Sequence, residues 1–408
     1  MRASVAATLF FSALVTSTPL AQFGEAFGPG DQQTHFNVQD RYIVILKPDV
    51  DVHNHMDYVQ TLHAQSVPTD SKQFEGVVCQ YNISDFQGYA GHFPESLIDH
   101  IRHHRDVMSV EDDQIWGTDA LARQYGGGSG LSLISHREIP GPRDQYYAFD
   151  DSLGAGTFAY VVDSGINIEH PEFQGRANLG YNAVDRRAQV WGDKVGHGTM
   201  IAGIISSKTF GVAKKTELIA VKVVDGRDGV FSQILDGYQW AVNDIVNKNR
   251  MQKAVVHLSP YGPRRQAFDR AVQAATDKGV STVIPAGNQN LDPSERLAGA
   301  SAGAIIVSAT DERRQRAAFA NYGPSVTVFA PGVNIVSTAG VNGQRTSSGT
   351  AQAAAYVSGL VAYFKGLNTL LMPSARAVKT CILSKSLPDI VQVPRGPKAR
   401  FAYNGSGK

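Results

Sequence analysis

The chain has 408 residues, with 38 Lys+Arg against 37 Asp+Glu and a formal net charge of +1, a balance that leaves no field to gather nucleic acid or an anionic membrane surface. Hydrophobic residues make up 42% and charged residues 18%, which excludes global disorder. Cys79 and Cys381 are the only two cysteines, too few for a disulfide-dense scaffold or a multi-cysteine zinc site.

The N-terminus reads MRASVAATLFFSALVTSTPLAQ. Arg2 supplies a positive start, residues 5–15 are largely apolar, and small residues follow to Ala21. This predicts a secretory signal peptide over 1–21 and a secreted, extracellular product. The apolar run is too short to span a bilayer. Polar, glycine-containing residues 22–39 read as a linker. Asn82-Ile83-Ser84 and Asn404-Gly405-Ser406 are candidate glycan acceptors in that compartment.

Residues 40–119 alternate strand and helix signals. Strand runs are expected at 42–46, 77–81 and 107–110, with helices around 56–62 and over 96–104. The order β-α-β-α-β predicts a small α+β domain. Eight of the 12 histidines fall between His35 and His104, and His100, His103 and His104 lie a helical turn apart. They are expected to be solvated surface groups, with a pH-dependent release device or a metal site as the alternatives. Residues 117–130, GTDALARQYGGGSG, read as a boundary or processing site.

Beyond residue 131 the pattern changes. Near-continuous hydrophobic runs at 158–162, 218–223, 255–258, 281–284 and 305–307 are what strands covered on both faces require. Helical spacing occupies 232–248, 267–278 and 350–367 between and after them. The expectation is an α/β domain over 120–400, doubly wound on a mainly parallel sheet, with 401–408 as a tail.

Three segments sit at strand ends or helix starts, where such folds place their sites. They are Val161-Val162-Asp163-Ser164-Gly165, Gly196-His197-Gly198-Thr199 and Ser348-Gly349-Thr350-Ala351-Gln352. Pro285-Ala286-Gly287-Asn288 adds an asparagine on a glycine turn. With HPEFQGRA at 170–177, DGYQWAVNDI at 236–245, FANYG at 319–323 and FAPGVNI at 329–335, the set resembles the subtilisin-like serine proteases, most closely the fungal alkaline proteases of the proteinase-K branch. Residues 40–119, entered by YIVILK at 42–47, resemble that family's inhibitory propeptide.

The resemblance implies that Asp163 orients a histidine, that His197 is the general base, and that Asn288 donates to an oxyanion. It also implies a serine where this chain has Ala351. The flanking Gly349-Thr350 and Val357-Ser358-Gly359 fix the register, and neither Ser348 nor Thr350 is expected to substitute. Removing the nucleophile costs on the order of 10⁶ in kcat in subtilisin itself, a relative. Further departures fall around the cleft. Met200 replaces a second histidine and His257 replaces an asparagine. The substrate-binding edge Ser259-Pro260-Tyr261-Gly262 replaces Ser-Leu-Gly-Gly, where Pro260 removes an N–H and Tyr261 adds bulk.

The leading expectation is therefore a secreted protease homologue with endopeptidase activity lost or severely impaired, binding protein or peptide ligands and its own propeptide. The alternatives are an active secreted serine endopeptidase and a non-catalytic surface or antigenic protein. No cofactor is expected, a structural calcium is the one ion the resemblance suggests, and a monomer is expected.

Overall fold

The structure, a computed structural model, describes residues 37–66, 74–114, 121–189, 191–226, 229–259, 262–263, 265–292, 303–367, 372–394 and 396–408. The expected signal peptide, most of the linker, residues 117–120 of the boundary, and Pro260 and Tyr261 lie outside the described residues. The chain divides into two compact units, Met1–Thr118 and Asp119–Lys408.

The first unit runs β1 (Asn37–Leu46), α1 (Val52–Ser66), β2 (Gly76–Ile83), β3 (Phe86–His92), α2 (Glu95–Arg102) and β4 (Val107–Gln114). The strands form an antiparallel sheet in the order β2-β3-β1-β4. Sequence reading misses β3, whose FQGYAGH breaks apolar alternation with two glycines and polar residues. It also extends the linker to residue 39, whereas β1 already starts at Asn37. Val44 and Leu46 of β1, Tyr89 of β3, Met56 and Val59 of α1, and Leu97, Ile98 and Ile101 of α2 close one small core. The last three share a helix face because they recur at three- and four-residue spacing.

The second unit opens with a small hairpin sheet, β5 (Ala122–Tyr125) with β6 (Tyr146–Phe149), separated by α3 (Ser129–Leu133). Then follow β7 (Phe158–Asp163), β8 (Ala177–Asn182), α4 (His197–Ser206), β9 (Glu217–Lys222), α5 (Phe231–Asn247), β10 (Ala254–Leu258), α6 (Gln266–Asp277), β11 (Ser281–Pro285), β12 (Ile305–Thr310) and β13 (Val328–Pro331). The hairpin β14 (Ile335–Ala339) and β15 (Gly343–Ser347) precedes α7 (Thr350–Leu367), α8 (Ala375–Lys385), β16 (Leu387–Val391) and β17 (Ala399–Phe401).

Among the described residues the main sheet is ordered β16-β17-β13-β12-β11-β10-β7-β9-β8. Every pairing is parallel except the edge pair β16–β17. Apolar residues alternate between its two faces. Ala159 and Val161 of β7 join the core under α4 and α7, and Tyr160 and Val162 join the core under α5 and α6. That two-sided burial is why these strands read as unbroken hydrophobic runs. Residues 401–408, expected as a tail, are not one: Phe401, Ala402, Tyr403 and Asn404 are buried.

The order places the two wings of the sheet on either side of the β7–β10 pair. The chain passes from β7 out to β8, returns through β9, and resumes at β10 on the other side. The carboxyl ends of strands at such a reversal leave a crevice for ligands. Asp163 ends β7 and Ser259 directly follows β10.

Candidate active site

The segments singled out by sequence converge at this reversal. Asp163 is 2% exposed while the His197 side chain is 36% exposed, so the acid is sealed and the ring reaches solvent. His197 Nδ1 lies 2.9 Å from both Asp163 carboxylate oxygens. A carboxylate only accepts, so Nδ1 carries the proton and Nε2 is left as the basic nitrogen. Among the described residues, Nε2 has no hydrogen-bond partner. Burial alone would raise the Asp163 pKa; the charge and hydrogen bond of His197, with further bonds from Ser259 and the Ser164 backbone, outweigh it and hold the carboxyl at about 2. His197 is raised, chiefly by the Asp163 charge and against its own burial.

Local chain geometry makes the pair possible. α4 begins on His197 after Gly196, which takes a left-handed φ of 79° that a side chain would strain. A Cβ on Gly198 would stand 2.1 Å from the Gly165 carbonyl oxygen and 3.1 Å from Asp163 Cβ. Only glycine lets the first turn of α4 approach the end of β7 this closely.

Asp193, which sequence reading missed, holds that turn. Its carboxylate accepts from Val195 N, Gly196 N, Thr199 N, the Thr199 hydroxyl and the Ser164 hydroxyl, at 2.7–3.1 Å. Ser164 Oγ in turn accepts from Gly198 N at 3.0 Å. The legible signal is an acid just ahead of a helix start, where it meets the unpaired N–H groups and the positive end of the dipole.

On the opposite wall α7 opens with Thr350-Ala351-Gln352. Asn288 Oδ1 accepts from Thr350 N at 3.0 Å and the Thr350 hydroxyl at 2.9 Å. Its oxygen is thereby occupied and its Nδ2 is left as a donor beside Gly349. Gln352 Nε2 reaches Met200 Sδ at 3.8 Å, so the first turns of α4 and α7 pack together. Ala351 stands between the residue gripped by Asn288 and the residue touching α4. Its methyl is partly buried against the core and carries no proton to give. The neighbouring hydroxyls are engaged elsewhere. Thr350 Oγ1 is buried, donating to Asn288 and accepting from Gly287 N at 3.1 Å. Ser348 Oγ accepts from Asn334 N at 2.8 Å.

Ser259 joins the site by its side chain. Its hydroxyl lies 2.9 Å from His257 Nε2 and helps to lower the Asp163 pKa. His257 Nδ1 lies 2.9 Å from Ser358 Oγ of α7. Burial lowers the His257 pKa to about 4, so the ring is neutral at ordinary pH. The chain Ser358–His257–Ser259, buried at its first two members, ties α7 to the end of β10 beside Asp163. Ser259 N is taken by Val162 O at 3.2 Å. Gly262 has open space where a Cβ would stand.

The candidate glycan acceptors part company. Asn82 is exposed on β2. Asn404 is 3% exposed and its Nδ2 donates to the Ala148 carbonyl at 2.7 Å, so a glycan on Nδ2 and this packing exclude one another. Both cysteines are free thiols. His100 and His103 turn Nδ1 to carbonyls of their own turn, Ser96 O and Asp99 O, each at 2.7 Å.

Residues 154–403 match the profile of the Subtilase family, and residues 41–119 match that of Peptidase inhibitor I9. Alkaline protease 1 of Aspergillus clavatus is 40% identical over 378 residues, covering 90% of this chain and 92% of the relative. The alkaline proteinase of Hapsidospora chrysogena is 39% identical over 384 residues, covering 91% and 93%. The crystal structure of a cold adapted subtilisin-like serine proteinase superposes with a TM-score of 0.62 at 33% identity, covering 68% of this chain and 98% of that one.

Proposed function

Because the chain belongs to the subtilase family, we propose that it is a secreted, subtilisin-like protein whose peptide hydrolysis is lost or severely impaired at Ala351, and whose cleft binds protein or peptide ligands. One observation carries the proposal: the position between Thr350, held by Asn288, and Gln352, in contact with α4, offers a methyl group. A serine there would give its proton to His197 Nε2 and attack the carbonyl. Asn288 Nδ2 and the first N–H groups of α7 would meet the oxyanion. Asp163 orients the ring and favours its charged form. Asp163, His197 and Asn288 support binding and polarisation of a peptide carbonyl, while the covalent step lacks its attacking oxygen.

Secretion rests on the N-terminal signal sequence, and among the described residues no helix is long and apolar enough to cross a membrane. Met200, His257, Pro260 and Tyr261 support a cleft turned from turnover towards binding or regulation of other proteases. The inhibitor-type unit remains attached under this reading, since the chain lacks the group that would cut it.

The intact Asp163–His197 pair and the free Asn288 donor favour a second reading, a working serine endopeptidase acting on extracellular proteins. Purified wild type and Ala351→Ser, assayed side by side on casein and a chromogenic peptide, separate the two. The proposal expects no turnover in the wild type and turnover in Ala351→Ser, a gain on the order of 10³–10⁶ in kcat. Wild-type hydrolysis abolished by a serine-directed phosphonylating reagent would refute it.

A further inference from the structure

The first unit holds a group of side chains that the cleft does not use. His55 lies on α1, and His104 and Asp106 lie in the turn between α2 and β4. Their donor atoms all lie within 4.8 Å of one another. His55 is 1% exposed. Its Nε2 is 3.3 Å from the Tyr89 hydroxyl, whereas its Nδ1 is buried with no hydrogen-bond partner among the described residues. That nitrogen faces Asp106 Oδ2 at 3.5 Å, and His104 Nδ1 faces the same oxygen, also at 3.5 Å.

Such separations are too long for good hydrogen bonds. They suit another arrangement. Around a tetrahedral ion with bonds of 2.0–2.1 Å, neighbouring ligand atoms stand about 3.3–3.4 Å apart. Two of the three separations, from each imidazole nitrogen to the shared carboxylate oxygen, come close to that spacing, and the third lies within 4.8 Å. The rings are also held in place. His104 stacks on Tyr58 with centroids 4.3 Å apart and meets His55 edge-on at 5.0 Å. The backbone of the turn is fixed by Lys47 N donating to Asp106 O at 2.9 Å and Val107 N to His104 O at 3.0 Å. His55 keeps its second nitrogen on a hydroxyl, as ligating histidines keep theirs on an outer partner. The one competing contact is the Asp106 N–H, 3.4 Å from His104 Nδ1.

We propose that His55, His104 and Asp106 form a zinc-type site that staples α1 to the α2–β4 turn of the inhibitor-type unit. Two imidazoles and one carboxylate suit a borderline divalent ion such as Zn²⁺ rather than the hard Ca²⁺, and a water completes the fourth position. The site is independent of the state of Ala351.

The test uses the full secreted chain, stripped with chelator and titrated with Co²⁺ as a spectroscopic probe. One equivalent gives the intense visible bands of a tetrahedral ion, and Zn²⁺ displaces it. His104→Ala and Asp106→Asn each weaken binding by about 10-fold or more, whereas the double variant His100→Ala/His103→Ala binds as the wild type does. X-ray absorption on the zinc-loaded wild type, which needs no variant to fold, counts two imidazoles. Absence of cobalt bands at micromolar protein, bands that survive His104→Ala with Asp106→Asn, bands lost with His197→Ala, or an imidazole count other than two would each overturn the proposal.

Discussion

At the residue scale the site is a set of protonation states fixed by burial and partners. His197 must be neutral to take a proton, and the sealed Asp163 raises its pKa. Activity restored by Ala351→Ser therefore climbs with pH through a midpoint above the ordinary histidine value of about 6.5. A midpoint at or below that value in a pH profile of kcat/KM would show that Asp163 does not stabilise the charged ring. His257 runs the other way. The fold holds it neutral, with a pKa of about 4, while the unfolded chain protonates near 6.5. Its contribution to stability is full above about pH 6.5 and is lost as pH falls towards 4, because the unfolded chain binds the proton first. Urea titrations across that window should show a shallower loss of stability for His257→Asn than for the wild type. An unchanged slope would mean that the ring is solvated. Asp163, His197 and Asn288 were legible because each sits in a short motif at a strand end or helix start. Ser164 and the inward turn of Ser259 were not, since their partners lie on other elements and depend on how closely those elements approach, and Asp193 was passed over although its place just ahead of α4 carried a signal.

At the scale of elements, the approach of α4 to β7 decides whether the site forms. Gly198→Ala puts a methyl 2.1 Å from a fixed backbone oxygen, and should cost about 1–3 kcal/mol as overpacking does. The His197–Asp163 bond should lengthen with it. Denaturant unfolding measures the first effect, and the histidine proton resonance measures the second. α7 is buried on all sides because it lies between the sheet and α4, and even Lys365 is inside, donating to Met251 O and Ala254 O at 2.7 Å each. Leu360→Ala at its fully buried centre should cost about 2–5 kcal/mol in the same measurement. The strands β7, β10, β11 and β12 stood out in sequence because both faces are covered. β3 and β8 did not, because glycines and polar residues interrupt FQGYAGH and ANLGYN. The edge strand β16 and its neighbour β17 are short, and residues 401–408 look like a tail until Phe401 is seen packed in the core with Leu387 and Val391.

At the scale of the whole molecule, near-zero charge and two free cysteines leave stability to the cores of the two units, and leave the fate of the junction between them to chemistry. A subtilisin-like chain with its nucleophile would be expected to cut near residues 117–124, once per molecule. That cut is a single intramolecular event on a target held at high effective concentration. Processing is thus a more sensitive reporter of the missing oxygen than turnover of added substrate. The decisive measurement is the intact mass of the secreted protein from a host without other proteases, wild type beside Ala351→Ser. Loss of the nucleophile predicts one uncut chain for the wild type, carrying its inhibitor-type unit, and two pieces for Ala351→Ser. A wild-type product that begins near Ala120 would contradict it.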